Sequence, residues 1–263
     1  MNAVAHFRRE VRAFLAAARA AARAGDAPLV PSCPGWTMSD LVLHLGGVHR
    51  GVAAVIRDRL DGPPGRAGLI AAELPPDTTG WPRFDRHPNH GPIPATLLEW
   101  AEEGADRLER LFSERSPDEP AWTWSHEQTT GFWLRMQTIE AAVHRWDAEH
   151  ALGAARPIHA GIAVAAITQT FEVMAPARRA WASAPPGAGE RFRFVRTDGP
   201  GAWTVCFDGE HVRLGDDGPA DVEVSGGGSE LLLFLWRRIP AGGLTVRGDA
   251  SLLDRYFVLV PPL

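Results

Sequence analysis

The feature that most constrains this chain is a change of hydrophobic period late in its length. Up to about residue 183, apolar residues recur at spacings of three and four, the period of helices with one buried face. Beyond Ala184-Pro-Pro-Gly-Ala-Gly189 they alternate one by one, as half-buried strands do. Helices in one run and strands in another imply an α+β chain with two cores rather than an alternating βα fold.

Four helices are expected first. Residues 3–24 place Val4, Phe7, Val11, Phe14, Leu15 and Ala18 on one face, and Gly25 and Pro28 end the segment. Thr37, with Asp40 three residues on, forms a capping-box signal, and Trp36 before it is placed to staple onto Leu41. The helix that follows runs to about Leu60. Asp61 to Pro94 is dense in Pro and Gly and reads as a long surface connection, with His87 and His90 as loop residues. A third helix spans about Pro94 to Glu114, and a fourth starts at a Thr129 or Thr130 cap and stops at Gly153. Four helices of similar length with such connections suggest an up-and-down bundle. Pro157 then opens a fifth helix, about Ile158 to Ser183. The expected division is a bundle over 1–155, a fifth helix and linker over 156–189, and a small α/β domain over 190–263. In the last, strands are read at 191–196, 202–207, 220–224 and 244–246. Asp208-Gly209 reads as a turn, 229–238 as a helix capped by Ser229, and 252–257 as a closing helix.

Composition narrows the partners. The 263 residues carry 45% hydrophobic and 22% charged residues and a net charge of −5, without a long basic run, which argues against nucleic acid. All 27 basic residues are Arg, so neither a lysine Schiff base nor a Walker-type phosphate lysine is available. Only Cys33 and Cys206 are present, far apart and with no secretory signal ahead of them, which points to a reduced, cytoplasmic setting. No apolar run approaches the roughly 20 residues that span a bilayer, so no membrane partner is expected.

Chemistry concentrates in Ile139–Gly153. Glu140 and His144, four apart on a helix, point the same way, and a carboxylate with an imidazole is a metal-ligand pair. The same spacing also arises as a weak pair on a solvated face. Asp147, three residues beyond His144, is placed either to orient that imidazole or to pair with a surface Arg. Glu149 and His150 read as exposed helix-end residues. A third ligand must come from elsewhere, and the second helix offers His44 and His49. They lie roughly 140° apart round the helix axis, so both cannot serve one ion between helices. Geometry alone leaves the choice open.

The run Cys33-Pro-Gly-Trp-Thr37, His44-Leu-Gly46 and Glu140-Ala-Ala-Val-His-Arg-Trp-Asp147 resembles the mycothiol-dependent maleylpyruvate isomerase family, among the DinB-like metal-binding bundles. The similarity continues through Leu231–Arg238 and Leu244–Asp249 and so covers nearly the whole chain. The resemblance implies zinc, or another divalent metal, held by His44, Glu140 and His144, and a C-terminal domain of sterol-carrier-like α/β fold. It implies an active-site Arg from that domain at Arg238, where this chain has Arg237 in place of the usual Gly.

The expected activity is therefore metal-dependent activation of a low-molecular-weight thiol, mycothiol, for addition to a small-molecule electrophile, with cis–trans isomerisation of maleylpyruvate type as the model reaction. Mycothiol S-transfer to another electrophile is the alternative within the family. A carrier of hydrophobic ligands with a purely structural zinc is the alternative outside enzymes. Cys33 is expected to be structural, since a metal supplies the thiol activation.

Overall fold

The computed structural model describes residues 3–64, 73–215 and 218–261, in two compact units, Met1–Arg156 and Pro157–Leu263. The chain is α+β: helices form the first unit and a five-stranded sheet with helices the second.

The first unit is a four-helix bundle of α1 (Ala3–Ala24), α2 (Met38–Asp58), α3 (Ala95–Glu114) and α4 (Thr130–Ala151). Helix α1 packs mainly on α4, and α2 mainly on α3. Their apolar stripes meet in a core that includes Phe7, Phe14, Leu41, Leu45, Val52, Leu97, Leu108, Phe132, Trp133 and Val143. The cap read at Thr37 is present, and of the two candidates for α4, Thr129 and Thr130, it is Thr129 that caps the helix. Thr37 Oγ1 accepts from the Asp40 N–H while Asp40 Oδ2 accepts from the Thr37 N–H at 2.8 Å, and Thr129 Oγ1 accepts from the Phe132 N–H at 3.1 Å. Two such caps satisfy N–H groups that the first helical turn leaves without partners.

Glycines let α2 and α3 approach closely. A Cβ at Gly46 would lie 2.7 Å from Trp100 Cζ3 and 3.0 Å from Ala101 Cβ, and one at Gly104 would lie 2.7 Å from Arg50 Cγ. The buried Arg50 guanidinium fills the resulting seam, donating to the Trp100 carbonyl from Nε and Nη2 and pairing with Glu103.

Helix α4 is buried on almost every side. One sequence expectation fails here: Glu149 is not an exposed helix-end residue but only 5% accessible. It accepts from Arg145 Nη1 at 2.7 Å and from the Arg156 backbone and side chain. Arg145, itself buried, also donates to Glu10 Oε2 at 2.9 Å and so ties α4 to α1. His150 is half-buried and stacks on Trp146 at 4.6 Å.

Between α2 and α3, the described residues 61–64 and 73–94 form neither helix nor strand; residues 65–72 of the expected connection lie outside the described residues.

In the second unit the expected fifth helix is one continuous rod of three parts: α5 (Ala160–Gln169), a π-helical turn Thr170–Met174, and α6 (Ala175–Trp181). Pro176 has no N–H for the helical ladder, and the wider turn comes just before it. Contrary to the sequence reading that no apolar run approaches a membrane-spanning length, the rod is long and apolar enough to cross a membrane by length and composition alone, but more than half of its most apolar window is buried inside the unit. Its hydroxyls accept indole N–H groups, Thr168 from Trp203 at 2.8 Å and Thr170 from Trp236 at 3.3 Å.

The strands are β1 (Gly187–Arg196), β2 (Ala202–Gly209), β3 (His211–Leu214), β4 (Val222–Gly226) and β5 (Thr245–Gly248), in the order β3-β2-β1-β4-β5. The β1–β4 pair is parallel and the others antiparallel. β3 was not legible, because its four residues alternate too briefly to stand out. The hairpin turn falls one residue later than Asp208-Gly209: Asp208 pairs with His211, and Gly209, at φ +56°, and Glu210 make the turn. Helices α7 (Gly228–Leu235) and α8 (Leu252–Leu259) complete the unit. Ser229 does not cap α7. Gly227 stands at the cap, donating to Glu230 Oε2, and the Ser229 hydroxyl instead accepts the Ile158 N–H at 2.9 Å. Tyr256 centres an aromatic cluster of Phe192, Phe194 and Phe207, and burial pushes its hydroxyl well above the ordinary tyrosine value.

Because the Gly46 contact includes backbone of α3, Gly46→Ala is expected to destabilise the protein by about 1 kcal/mol or more, overpacking outweighing the better helix propensity. The midpoint of urea unfolding reads this directly, and an unchanged midpoint would show that α2 and α3 separate freely.

Candidate metal centre

The capped start of α2 fixes the direction in which His44 leaves the helix, and α4 delivers Glu140 and His144 from one face. Potential ligand atoms of His44, Glu140 and His144 all lie within 4.8 Å of one another. The two imidazole rings meet edge-to-face at 5.1 Å, and His144 Nε2 is 3.3 Å from Glu140 Oε2. His49 points elsewhere. It packs edge-on against Phe7 of α1 at 5.2 Å, as expected for a histidine on the other flank of the stripe. Burial, more than any neighbouring charge, pushes its pKa down to about 3, and its Nε2 has no hydrogen-bond partner among the described residues.

His144 is held from both ring nitrogens. Its Nδ1 is 2.9 Å from Asp147 Oδ2, so Asp147 is no surface acid but a fully buried carboxylate behind the imidazole. The same carboxylate accepts from Ser32 Oγ at 2.7 Å and from Cys33 Sγ at 3.4 Å. Burial opposes a charge on His144, yet Asp147, Cys33 and Glu140 outweigh it and hold the imidazole pKa well above its ordinary value. A field that favours a proton on this ring favours a cation beside it.

Cys33, His144 and Asp147 form a second convergent group, with all three residues buried. Their polar atoms are engaged with one another and with Ser32. His44 and Glu140, by contrast, are each only half-buried. The donor set of the first group suits a divalent ion of zinc type: two imidazoles and a carboxylate, with one imidazole backed by a second carboxylate through its far nitrogen.

Three residues round the site were given other roles by the sequence. Trp36, placed to staple onto Leu41, lies with its ring 5.0 Å from that of His44. His87, read as a plain loop residue, stacks on the same indole at 5.7 Å, and its Nδ1 is 3.1 Å from Asp40 Oδ1. Cys33, read as structural, touches the acid that orients His144. The available signal was the cap itself, since Thr37 and Asp40 fix the turn before α2 close to the helical turn carrying His44. Burial pushes the Asp40 carboxyl up, but donors from Thr37 and Asn89 win and leave it below the usual carboxylate range.

Arg238 belongs to the second unit. Its Nη1 donates to the Trp236 carbonyl at 3.0 Å, while Arg237, in the left-handed region at φ +57°, lays its guanidinium 4.7 Å over Phe257. Both line a cavity of about 500 Å³ with Ile239, Pro240, Leu253 and Asp254.

These features define a class: a helical bundle with a His–Glu–His cluster, joined to a small α/β domain. Residues 4–149 match the family profile described as mycothiol maleylpyruvate isomerase N-terminal domain, and residues 161–255 match the C-terminal domain of the same family. The chain therefore belongs to the mycothiol maleylpyruvate isomerase family. Its fold is similar to a crystal structure of the mycothiol-dependent maleylpyruvate isomerase, at 15% identity and a TM-score of 0.62 over 93% of this chain and 91% of that one. It is equally similar in fold to a histidine-to-alanine mutant of that isomerase, at 17% identity and a TM-score of 0.60 with the same coverage. Comparison with curated proteins by sequence gave no match.

His49 yields a signed pH prediction. The unfolded chain takes up a proton at its ordinary value near 6.5, and the folded chain only near 3, so His49 costs stability as pH falls between those values. In His49→Leu the pH slope of the unfolding free energy is expected to be shallower by about one proton over this window. Parallel slopes for the two proteins in urea titrations would contradict the assignment.

Proposed function

We propose that this protein is a metal-dependent enzyme that activates mycothiol for addition to a small-molecule electrophile, with maleylpyruvate-type cis–trans isomerisation as its reaction. The observation that carries this reading is the convergence of His44, Glu140 and His144, two of them half-exposed, in a chain of the mycothiol maleylpyruvate isomerase family.

A zinc ion, or another divalent metal, held by these three side chains would supply Lewis acidity that raises the thiolate fraction of a bound thiol near neutral pH. The protein's own contribution is positional and electrostatic. With a metal bound, Asp147 would hold the imidazole proton of His144 at Nδ1 and leave Nε2, the nitrogen near Glu140, as the ligand atom. The half-buried state of His44 and Glu140 leaves a side open for the thiol and electrophile. Arg238 is the side chain proposed to hold a carboxylate, which a planar guanidinium binds in fork geometry. The closed apolar core of the bundle favours an enzyme over a carrier with structural zinc. Helices α2 and α4 are capped by Thr37 and Thr129 and the apolar core is closed by residues outside the cluster, so the bundle is expected to fold without the ion.

Metal analysis of wild type and His144→Ala, paired with mycothiol-consumption assays on a panel of electrophiles that includes maleylpyruvate, tests the reading. Wild type is expected to hold one divalent ion per chain, and His144→Ala to lose it together with at least 100-fold of activity, an order-of-magnitude expectation for removing a ligand. Isomerisation without net thiol loss identifies the isomerase, and stoichiometric thiol loss an S-transferase. Equal metal in both proteins, or turnover without any thiol, would refute the proposal. Chelation is expected to abolish turnover while leaving the helical circular dichroism in place.

A further inference from the structure

We propose that the turn Ser32–Trp36 is a positioning clamp for both imidazoles of the metal centre: Trp36 sets His44 directly, and Ser32 and Cys33 set His144 through Asp147. The inference builds on the cation site proposed above and concerns side chains that do not themselves touch the ion.

The turn is closed by its own backbone. Val30 N–H donates to the Trp36 carbonyl at 2.8 Å, Cys33 N–H to Val30 at 2.9 Å, Trp36 N–H to Cys33 at 3.0 Å, and Met38 N–H to Pro28 at 2.9 Å. Gly35 takes φ +82°, a conformation that side chains other than glycine's rarely adopt. A loop closed in this way holds Ser32, Cys33 and Trp36 in fixed relation, with Trp36 against His44 and Ser32 and Cys33 against Asp147.

On one side, the Trp36 indole lies 5.0 Å from the His44 ring and is stacked from behind by His87, which Asp40 anchors at 3.1 Å. His44 is half-exposed, and the Trp36 wall narrows the rotamers open to its ring, which lowers the entropy lost on taking up a ligating one. On the other side, Ser32 and Cys33 donate to the two oxygens of Asp147, at 2.7 and 3.4 Å. That aims the carboxylate at His144 Nδ1, 2.9 Å away. Partners of this kind behind a metal-binding histidine typically govern roughly 10- to 100-fold of metal affinity. The clamp therefore presets the spacing of two ligands that come from different helices. It also gives Cys33 a role as a hydrogen-bond donor, not a nucleophile.

The test is cobalt(II) titration of the full-length apo-protein, reading the dissociation constant and the visible spectrum, with circular dichroism melting of the same apo-samples. Trp36→Ala and the double variant Ser32→Ala/Cys33→Ala are expected to weaken cobalt binding roughly 10- to 100-fold and to shift the visible bands. Trp36→Phe and Cys33→Ser, which keep a ring and a donor, are expected to bind within about threefold of wild type, the scatter ordinary for a conservative change. His87→Ala removes the outer, exposed support of Trp36 together with the contact of His87 to Asp40, and serves if Trp36→Ala does not fold; a severalfold loss is expected. Wild-type affinity and spectrum in the clamp variants would overturn the proposal. So would losses that follow the melting temperature and are not rescued by Phe and Ser. Wild-type cobalt binding by His144→Ala would instead overturn the cation site itself, which separates the two failures.

Discussion

A helix buried on nearly all sides can keep ionisable side chains only if each finds a partner, because an isolated charge away from water costs several kcal/mol even after the structure relaxes. Helix α4 meets this condition in its second half for Arg145, Asp147 and Glu149. Arg145 lies between Glu10 and Glu149, Glu149 also takes donors from Arg156, and Asp147 takes donors from Ser32, Cys33 and His144. These pairings tie α4 to α1, to the turn ahead of α2 and to the end of the unit. His144 sits within this tied stretch and Glu140 one turn ahead of it, so the constraint that stabilises the helix also fixes half of the candidate centre.

The other half depends on how α2 is entered. The box formed by Thr37 and Asp40 stops the helix from fraying at its first turn and fixes the exit of the preceding loop, which carries Trp36 and Cys33. Asp40 has a second use. It accepts from the Asn89 backbone and side chain and faces His87, so the long connection after α2 is tied back to the start of that helix. One buried carboxylate thus joins a helix cap, a loop and the stack of His87, Trp36 and His44. The close seam of α2 against α3 at Gly46 and Gly104 then leaves the helix little room to shift.

In the second unit the organising pieces are aromatic. Tyr256 reaches from α8 into the cluster formed by Phe192, Phe194 and Phe207 of the central strands. Trp203 and Trp236 donate to threonines at and beside the π-helical turn of the long rod. An apolar rod of this length is read as a core helix because its hydroxyls and much of its surface are used inside the unit.

The sequence by itself determined what depends on neighbours a few residues away. The extents of the four bundle helices, the cap at Thr37 and a cap at Thr129 or Thr130, the alternation of the central strands and the common face of Glu140 and His144 all follow from local period and backbone hydrogen bonding. Tertiary structure decided whatever needed a partner from a distant segment. Spacing left His44 and His49 equal, and the packing of α2 against α4 and α1 turned the first toward Glu140 and His144 and the second onto Phe7. It likewise buried Glu149, which local polarity had marked as solvated, and drew Ser229 away from the cap of α7 to the Ile158 N–H. Cys33 and Asp147 are 114 residues apart and met only when the turn ahead of α2 folded against α4. Periodicity tells which face of a segment is buried, but not which other face it meets, and the chemistry of this site lies in that second choice.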